Sequence, residues 1–429
     1  MDEGIDAEAQ RRLARYEQRV ARRGAGGDAE PEPHEHDTSQ AGLRVLLGSR
    51  AGKVLAGISA ALLLATLVAL VALWPTGTRH VLSGALGGDT VAAKVERQVI
   101  VRCPGPTPQR CRRLIATVGQ GTDRGRRVTL DLGPVGVTQD LGSGTRIRVQ
   151  RADGSEDYGY VDVDRRGPLL LLGALFAVVA VLVARRKGAL ALVGLALSVA
   201  LVTTFLVPAI LDGRSPVLAS LVAALAVMFI SLVLTYGITA QSLAASTGIA
   251  ASLAAATALG DLVLRAAHLD GRGGELAPYL QQAGVGGLSL QGIVLATIVI
   301  GALGVLTDTA VTQASAVMAL RHTAPELGVH QLYTRAQGVG RDHLAATTHT
   351  LVMVYVATLL PLMLLLQAAN TDLTDALNGQ FLAEPLVATL IGAIALMLSV
   401  PLTTLLTSLL AVHVPSESLA HAHAHAHAH

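Results

Sequence analysis

Charge is what this 429-residue sequence has least of: 15% of its residues are Asp, Glu, Lys or Arg, where an ordinary soluble protein has about 25%. The deficit is uneven. Residues 1–53 hold 19 charges, residues 188–413 hold only 16, and no lysine follows Lys187. A second half so starved of charge argues against a soluble enzyme and reads as a membrane domain. The formal net charge of +2, with no basic, aromatic-interleaved surface, argues against nucleic acid as a partner. Cysteine is scarce too. Cys103 and Cys111 are the only two, and neither has the company a four-ligand zinc site needs. Catalytic signatures are missing: there is no G-x-x-x-x-G-K-S/T phosphate loop, no H-E-x-x-H and no G-x-S-x-G. Gly48 to Lys53 has the wrong spacing for the first of these and is followed by Val54. The expectation is a protein that is not an enzyme and holds no cofactor or metal.

What is present falls into regions. Residues 1–50 mix both charge signs with few large apolar side chains, so they cannot bury enough surface to fold alone and read as a flexible cytoplasmic tail. Leu13, Tyr16 and Val20 are spaced for one side of a short basic helix, either solvated or resting on an anionic membrane surface. Val54 to Leu73 is an uninterrupted apolar run ended by Trp74-Pro75, so 54–74 is a first membrane helix with an interfacial tryptophan. It starts too late and lacks the small-residue cleavage site of a signal peptide.

Residues 76–167 change texture. Val91–Val101, Leu114–Val118, Arg127–Leu132, Thr145–Val149 and Tyr158–Val163 read as strands, with turns at Gly142-Ser143-Gly144 and Asp153-Gly154. Five short strands in about 90 residues predict a small all-β extracytoplasmic domain, a barrel or sandwich with an OB-like barrel among the candidates. Outside the cytoplasm Cys103 and Cys111 would close a disulfide loop worth roughly 2–3 kcal/mol. A pair of reduced thiols is the alternative.

From 168 to 412 the apolar runs are nearly continuous: Pro168–Ala184, Leu190–Leu211, Val217–Tyr236, Leu243–Leu264, Leu290–Leu320, Leu344–Leu366 and Pro385–Val412. With the first, they make about eight transmembrane helices. The fold class is therefore a polytopic α-helical membrane protein with a small all-β domain. Arg185-Arg186-Lys187, Arg321, Arg335, Arg341 and the basic tail fall on one side, which the positive-inside rule makes cytoplasmic. Both termini then lie inside, including the histidine-rich stretch of residues 413–429. Its alternating histidines can bind divalent metals, but the stretch reads equally as a low-complexity end or a purification handle, and no metal function is assigned to it.

The segment Gly301–Ala316, GALGVLTDTAVTQASA, places polar groups inside an apolar run. Asp308, Thr312 and Ser315 recur at i, i+4 and i+7, with Thr309 and Gln313 on the adjoining face. A carboxylate facing lipid is costly, so Asp308 is expected to face helices, water or a ligand. The competing reading puts it near the cytoplasmic helix end, in a packing or capping role. His349 on the seventh helix and Thr403 and Thr404 on the eighth fall at similar depth, predicting a cytoplasm-facing site for a small solute or ion. His349 and the threonines also have ordinary readings as packed or backbone-bonded groups. Asp342 is expected to cap the seventh helix. Ala244, Gly248, Ser252 and Ala255 form a close-packing stripe.

These motifs resemble the YibE/F-like family of bacterial membrane proteins. The resemblance rests on Gly301–Ala316, on Gly340-Arg-Asp-His-Leu-Ala-Ala-Thr347 with Leu360-Pro361, and on Val400-Pro-Leu-Thr-Thr404. It extends to Asp164-Arg-Arg-Gly167 and covers roughly residues 85–412. It implies a multi-pass protein of the bacterial plasma membrane with an extracytoplasmic β domain and no settled activity. Three functions compete. A secondary transporter is favoured by the polar cluster and by Pro208, Pro361 and Pro401. A scaffold or assembly factor would hold a membrane or extracytoplasmic protein partner through the β domain. An intramembrane enzyme has least support, because no nucleophile is paired with a base.

Overall fold

A computed structural model describes residues 49–77, 90–103, 109–151, 157–273 and 289–413. The charged tail with Leu13, Tyr16 and Val20, the Asp153-Gly154 turn and nearly all of the histidine-rich end lie outside the described residues. Helix α1 (Arg50–Ala72) opens on Ser49, whose hydroxyl accepts from the Gly52 amide at 2.9 Å. It leads to five antiparallel strands: β1 (Thr90–Arg102), β2 (Arg110–Val118), β3 (Arg127–Pro134), β4 (Arg146–Arg151) and β5 (Tyr158–Val163). All five strands read from alternation are present, β2 starting earlier than expected.

The sheet order is β3-β2-β1-β4-β5. Register shifts at Val95/Arg97, Arg112/Arg113 and Arg148/Val149 bend the strands as bulges do, and β3 comes up against β5. The result is a small half-barrel. Alternation decides its inside: Ala93, Val95, Leu114, Ala116, Leu130, Ile147 and Val149 form the core, while Lys94 and Glu96 point out. The Cys103–Cys111 disulfide is formed, with Cα atoms 5.0 Å apart, joining the end of β1 to the start of β2.

Residues Arg166–Leu211 are nominally one 46-residue helix, about 69 Å at 1.5 Å per residue. Arg185 breaks it, with φ 49° and ψ −128°. A Cβ on Gly188 would collide with the Ala180 carbonyl oxygen, a contact that only a chain reversal produces. The two expected apolar segments are thus arms of a hairpin turning at Arg185. Its second arm runs from α2 (Arg166–Leu201) through a five-residue π-helical turn, Val202–Leu206, into α3 (Val207–Leu211). The turn wraps the backbone just ahead of Pro208, which has no amide to donate.

Then follow α4 (Pro216–Tyr236), α5 (Ala240–Ala266), α6 (Leu290–Thr323), α7 (Val329–Ala368), the short α8 (Leu373–Asn378) and α9 (Gln380–Ala411). Helices α5, α6 and α9 pack on one another at the centre, α4 and α7 against them, and α1 and the hairpin outside. Ile249, Leu253, Leu264, Leu295, Leu306 and Ile391 fill the middle. At one end Leu55, Ala244, Val317, Leu332 and Leu410 make a second cluster. At the other, Trp74 meets Phe205 with centroids 5.7 Å apart, and Asp212 accepts from the Thr76 and Gly77 amides. The end of α1, the end of α3 and the starts of α4, α6 and α9 gather there, consistent with the expected up-and-down alternation.

Two expectations need correction. Helix α7 begins at Val329 rather than Leu344, its first turns packing through Leu332 and Ala336. Asp342 therefore lies inside a continuous helix whose N-cap is Gly328, and it caps nothing. The charged, glycine-containing stretch before Leu344 looked like a loop because its apolar positions are sparse. They nonetheless fall on one face.

A hydroxyl-rich core as the candidate functional site

The polar stripe of α6 divides between two faces. Thr309 and Gln313 turn inward and are buried, as are Thr403 and Thr404 on α9. Asp308 and Thr312 turn outward, and the Asp308 side chain is 71% exposed. Residues 308 and 309 are adjacent in sequence, but one helical residue is a rotation of about 100°, enough to separate core from surface.

Glycines bring the inner faces together. A Cβ on Gly248 of α5 would collide with the Thr403 hydroxyl, so this glycine sets the α5–α9 approach. The stripe Ala244, Gly248 and Ser252 is buried as expected, with Ala255 half-buried. A Cβ on Gly340 of α7 would fall 2.7 Å from Val400 Cγ1 and 2.9 Å from Gln313 Oε1. Gln313 consequently sits beside the start of the Val400–Thr404 segment, and its Nε2 donates to the Ala336 carbonyl at 2.8 Å. Ser315 accepts from Gln241 Nε2 and donates to the Val311 carbonyl at 2.9 Å.

The hydroxyls of this core are unevenly satisfied. Thr404 donates to the Val400 carbonyl at 2.6 Å and Thr407 to the Thr403 carbonyl at 2.7 Å. The hydroxyls of Ser252, Thr309, Ser399, Thr403 and Ser408 have no partner although buried. An unsatisfied buried hydroxyl costs about 1–3 kcal/mol, and these five lie on three neighbouring helices. Pro401 adds to the polarity, since without an amide it leaves the Met397 carbonyl without its helical donor.

Outside the core, Asp308 lies 3.9 Å from His343 Nε2, and Thr347 is 3.4 Å from the same nitrogen. His349 is exposed and joins neither group. Of the expected site residues, then, Thr309, Gln313, Ser315, Thr403 and Thr404 share the α5–α6–α9 region, while Asp308, Thr312 and His349 stand outside it. The histidine that meets Asp308 is His343, which the sequence reading passed over inside its Gly340–Thr347 motif. The antiparallel pairing of α6 with α7 could have found it. Gly301 and Gly304 do not break α6: Gly301 lies beside Tyr355, and Gly304 faces open space.

Sequence reading also missed Glu384, buried at the opposite end of the bundle. Its Oε1 accepts from the Gly271 amide at 3.1 Å and from Gln380 Nε2 at 2.7 Å, fixing the loop after α5 to the start of α9. No group of three His, Cys, Asp or Glu able to hold a metal occurs among the described residues.

Among the described residues, seven helices long and apolar enough to cross a membrane, a polar inner seam and a disulfide-closed half-barrel make a helical bundle with one small β appendage. The chain belongs to the YibE/F-like protein family, whose model matches residues 172–413, more than half its length. The match takes in α3 through α9 with the whole hydroxyl core, and most of α2. It leaves out α1 and the half-barrel, so it is shorter at the N-terminal side than the resemblance of residues 85–412 suggested. No curated protein and no solved structure matches the chain.

Proposed function

We propose that this protein is a multi-pass bacterial plasma-membrane permease that carries a small polar solute or ion through the α5–α6–α9 core. The observation behind the proposal is the set of five buried, unpartnered hydroxyls, whose unmet hydrogen bonds a passing solute would supply. The apolar outer surface supports the membrane setting: Leu169 to Leu172 and Leu182 are all more than 60% exposed, as lipid-facing residues are. Helix α4, with 21 residues, spans about 32 Å, one hydrocarbon thickness. Asp308 lies 18 residues past the start of α6 (Leu290–Thr323), about 27 Å along it, and in this orientation it falls near the cytoplasmic boundary. There, with His343, it forms an entrance to the core and is not a ligand within it. Both termini are cytoplasmic in this orientation, and the half-barrel, OB-like in strand order, is extracytoplasmic.

The test is flux in proteoliposomes. Thr403→Val, isosteric but without the hydroxyl, is expected to lower flux at least tenfold while raising stability by about 1 kcal/mol, because a buried orphan is removed. Unchanged flux would remove the core from the mechanism. Asp308→Asn is expected to slow entry without abolishing it.

A scaffold is the second reading, favoured by one observation: β3 and β5 come up against each other but end the sheet order without a hydrogen-bonded ladder between them, leaving main-chain groups at that seam into which a partner strand could add. Cross-linking from β3 and β5 separates the two readings, since a permease needs no stoichiometric partner.

A further inference from the structure

We infer that the groove where the half-barrel joins α2 binds the phosphate of an anionic phospholipid headgroup. The inference rests on the membrane reading but not on transport. A cavity of about 360 Å³ lies at this junction, lined by Thr145, Arg146, Asp164 and Arg166 over Val163 and Pro168.

Its charge is arranged against the folding preference of the sheet. Lys94 and Arg146 are direct cross-strand partners in the β1–β4 register, a like-charge placement that destabilises a sheet. The Lys94 Cε lies 4.0 Å from where a Cβ on Gly144 would be, so the side chain runs toward the same edge. Arg166, the first residue of α2, adds a third positive charge. Among the described residues none of these three makes an ion pair, whereas Arg113, Arg127 and Arg165 of the same region are each matched to a carboxylate. Asp164 is the one acid in the lining, and its Oδ1 already accepts from the Arg166 amide at 3.2 Å. Two guanidinium groups in the lining against one carboxylate, with the Lys94 ammonium on the strand paired beside Arg146, leave the groove positive, and guanidinium groups match phosphate oxygens in geometry as well as charge.

The position selects a lipid over a free anion. Pro168 forms the floor, and Leu169, Leu170, Leu171 and Leu172 follow it at 62–73% exposure. A group seated in the groove is therefore level with the point where α2 enters its apolar surroundings, the depth of a headgroup whose chains can run down the leucines. A basic domain on the outer side does not conflict with the positive-inside rule, which governs short loops.

The test uses the full chain purified from membranes into nanodiscs of phosphatidylcholine with a minor fraction of phosphatidylglycerol, followed by mass spectrometry of retained lipid. Wild type is expected to enrich phosphatidylglycerol several-fold over the bulk ratio. Lys94→Gln/Arg146→Gln/Arg166→Gln is expected to fall to the bulk ratio, while Arg146→Lys/Arg166→Lys and the charge-matched Arg97→Gln/Arg102→Gln/Arg110→Gln keep the enrichment. Retention by the first triple variant would overturn the inference. So would displacement of the lipid from wild type by excess inorganic phosphate, which would mark a free-anion site. Lipid retention needs no flux, so failure of the permease reading leaves this result standing, and the reverse also holds.

Discussion

The half-barrel and the helical bundle solve opposite problems with one chain. In the half-barrel, apolar side chains are inside and charges outside, as for any domain in water. In the bundle the order is partly inverted: serines and threonines of α5, α6 and α9 are buried, while the hairpin and α7 have no residue of their most apolar windows buried at all. Helices α4, α5, α6 and α9 each bury 44% of theirs, although the hairpin matches or exceeds α5, α6 and α9 in hydropathy. Hydropathy in this bundle therefore reports the surroundings of a helix and not its depth in the protein. In the membrane setting proposed above the surroundings are apolar, and a polar interior is what such surroundings leave room for.

The largest effect that would sharpen the contrast is in the bundle core. Leu264, fully buried in α5, is expected to cost about 2–5 kcal/mol when cut to alanine. Leu182, among the exposed leucines of the hairpin, is expected to cost under about 0.5 kcal/mol. Unfolding in detergent micelles measures both. Equal costs would mean that the hairpin packs on something the single chain does not show.

Next comes a charge placed on each outer surface. Leu175 is exposed midway along the first arm of the hairpin, and Leu175→Asp is expected to disfavour insertion by about 2.5–3.5 kcal/mol. Thr129→Asp, on the exposed face of β3, is expected to change stability by no more than about 0.5 kcal/mol. A glycosylation-based insertion assay for the first and thermal unfolding for the second would break the comparison if Leu175→Asp inserted normally.

The disulfide belongs to the half-barrel alone. Cys103→Ser/Cys111→Ser opens a loop of sequence separation 8, for which loop-closure entropy gives about 2.5 kcal/mol. Proteolysis of the half-barrel in the double variant, with the bundle left intact, is the expected readout.

How much of this was legible in the sequence follows from which signals are local. The strands showed because Val128, Leu130 and Leu132 alternate with polar neighbours, and alternation is a property of a few consecutive residues. The apolar segments showed because length and composition suffice to mark them. What did not show depends on phase and partners. A stripe of Asp308, Thr309, Thr312 and Gln313 marks a polar sector of α6, but only the position of α9 and α5 decides that Thr309 and Gln313 are the inner members. The amphipathic start of α7 was hidden for the same reason: Leu332 and Ala336 make a face only when α6 and α9 are there to receive it. The tight reversal at Arg185 carried the basic signature of a loop, yet its geometry needs Gly188 against Ala180, eight residues back.

The smallest expected effect is a pH dependence confined to the half-barrel. Glu96 accepts from the Thr117 hydroxyl and from Arg127 Nε, and the Thr117 bond first, then the guanidinium, hold its carboxyl below the usual glutamate range. A carboxyl whose folded value is depressed contributes stability above its unfolded value, about 4.3, and loses it as pH falls through the folded value. The half-barrel should therefore weaken below about pH 4 in wild type, and Glu96→Gln should flatten that part of the profile. Tyr158 and Tyr160 fluorescence during acid titration, in a background with the five other tyrosines changed to phenylalanine, follows the domain, while Trp74, packed on Phe205 at the bundle end, follows the other region. A tryptophan signal that moved in step with the tyrosines would show the two regions unfolding as one unit and would dissolve the comparison. Separate midpoints, with only the tyrosine one shifted by Glu96→Gln, are the expected result.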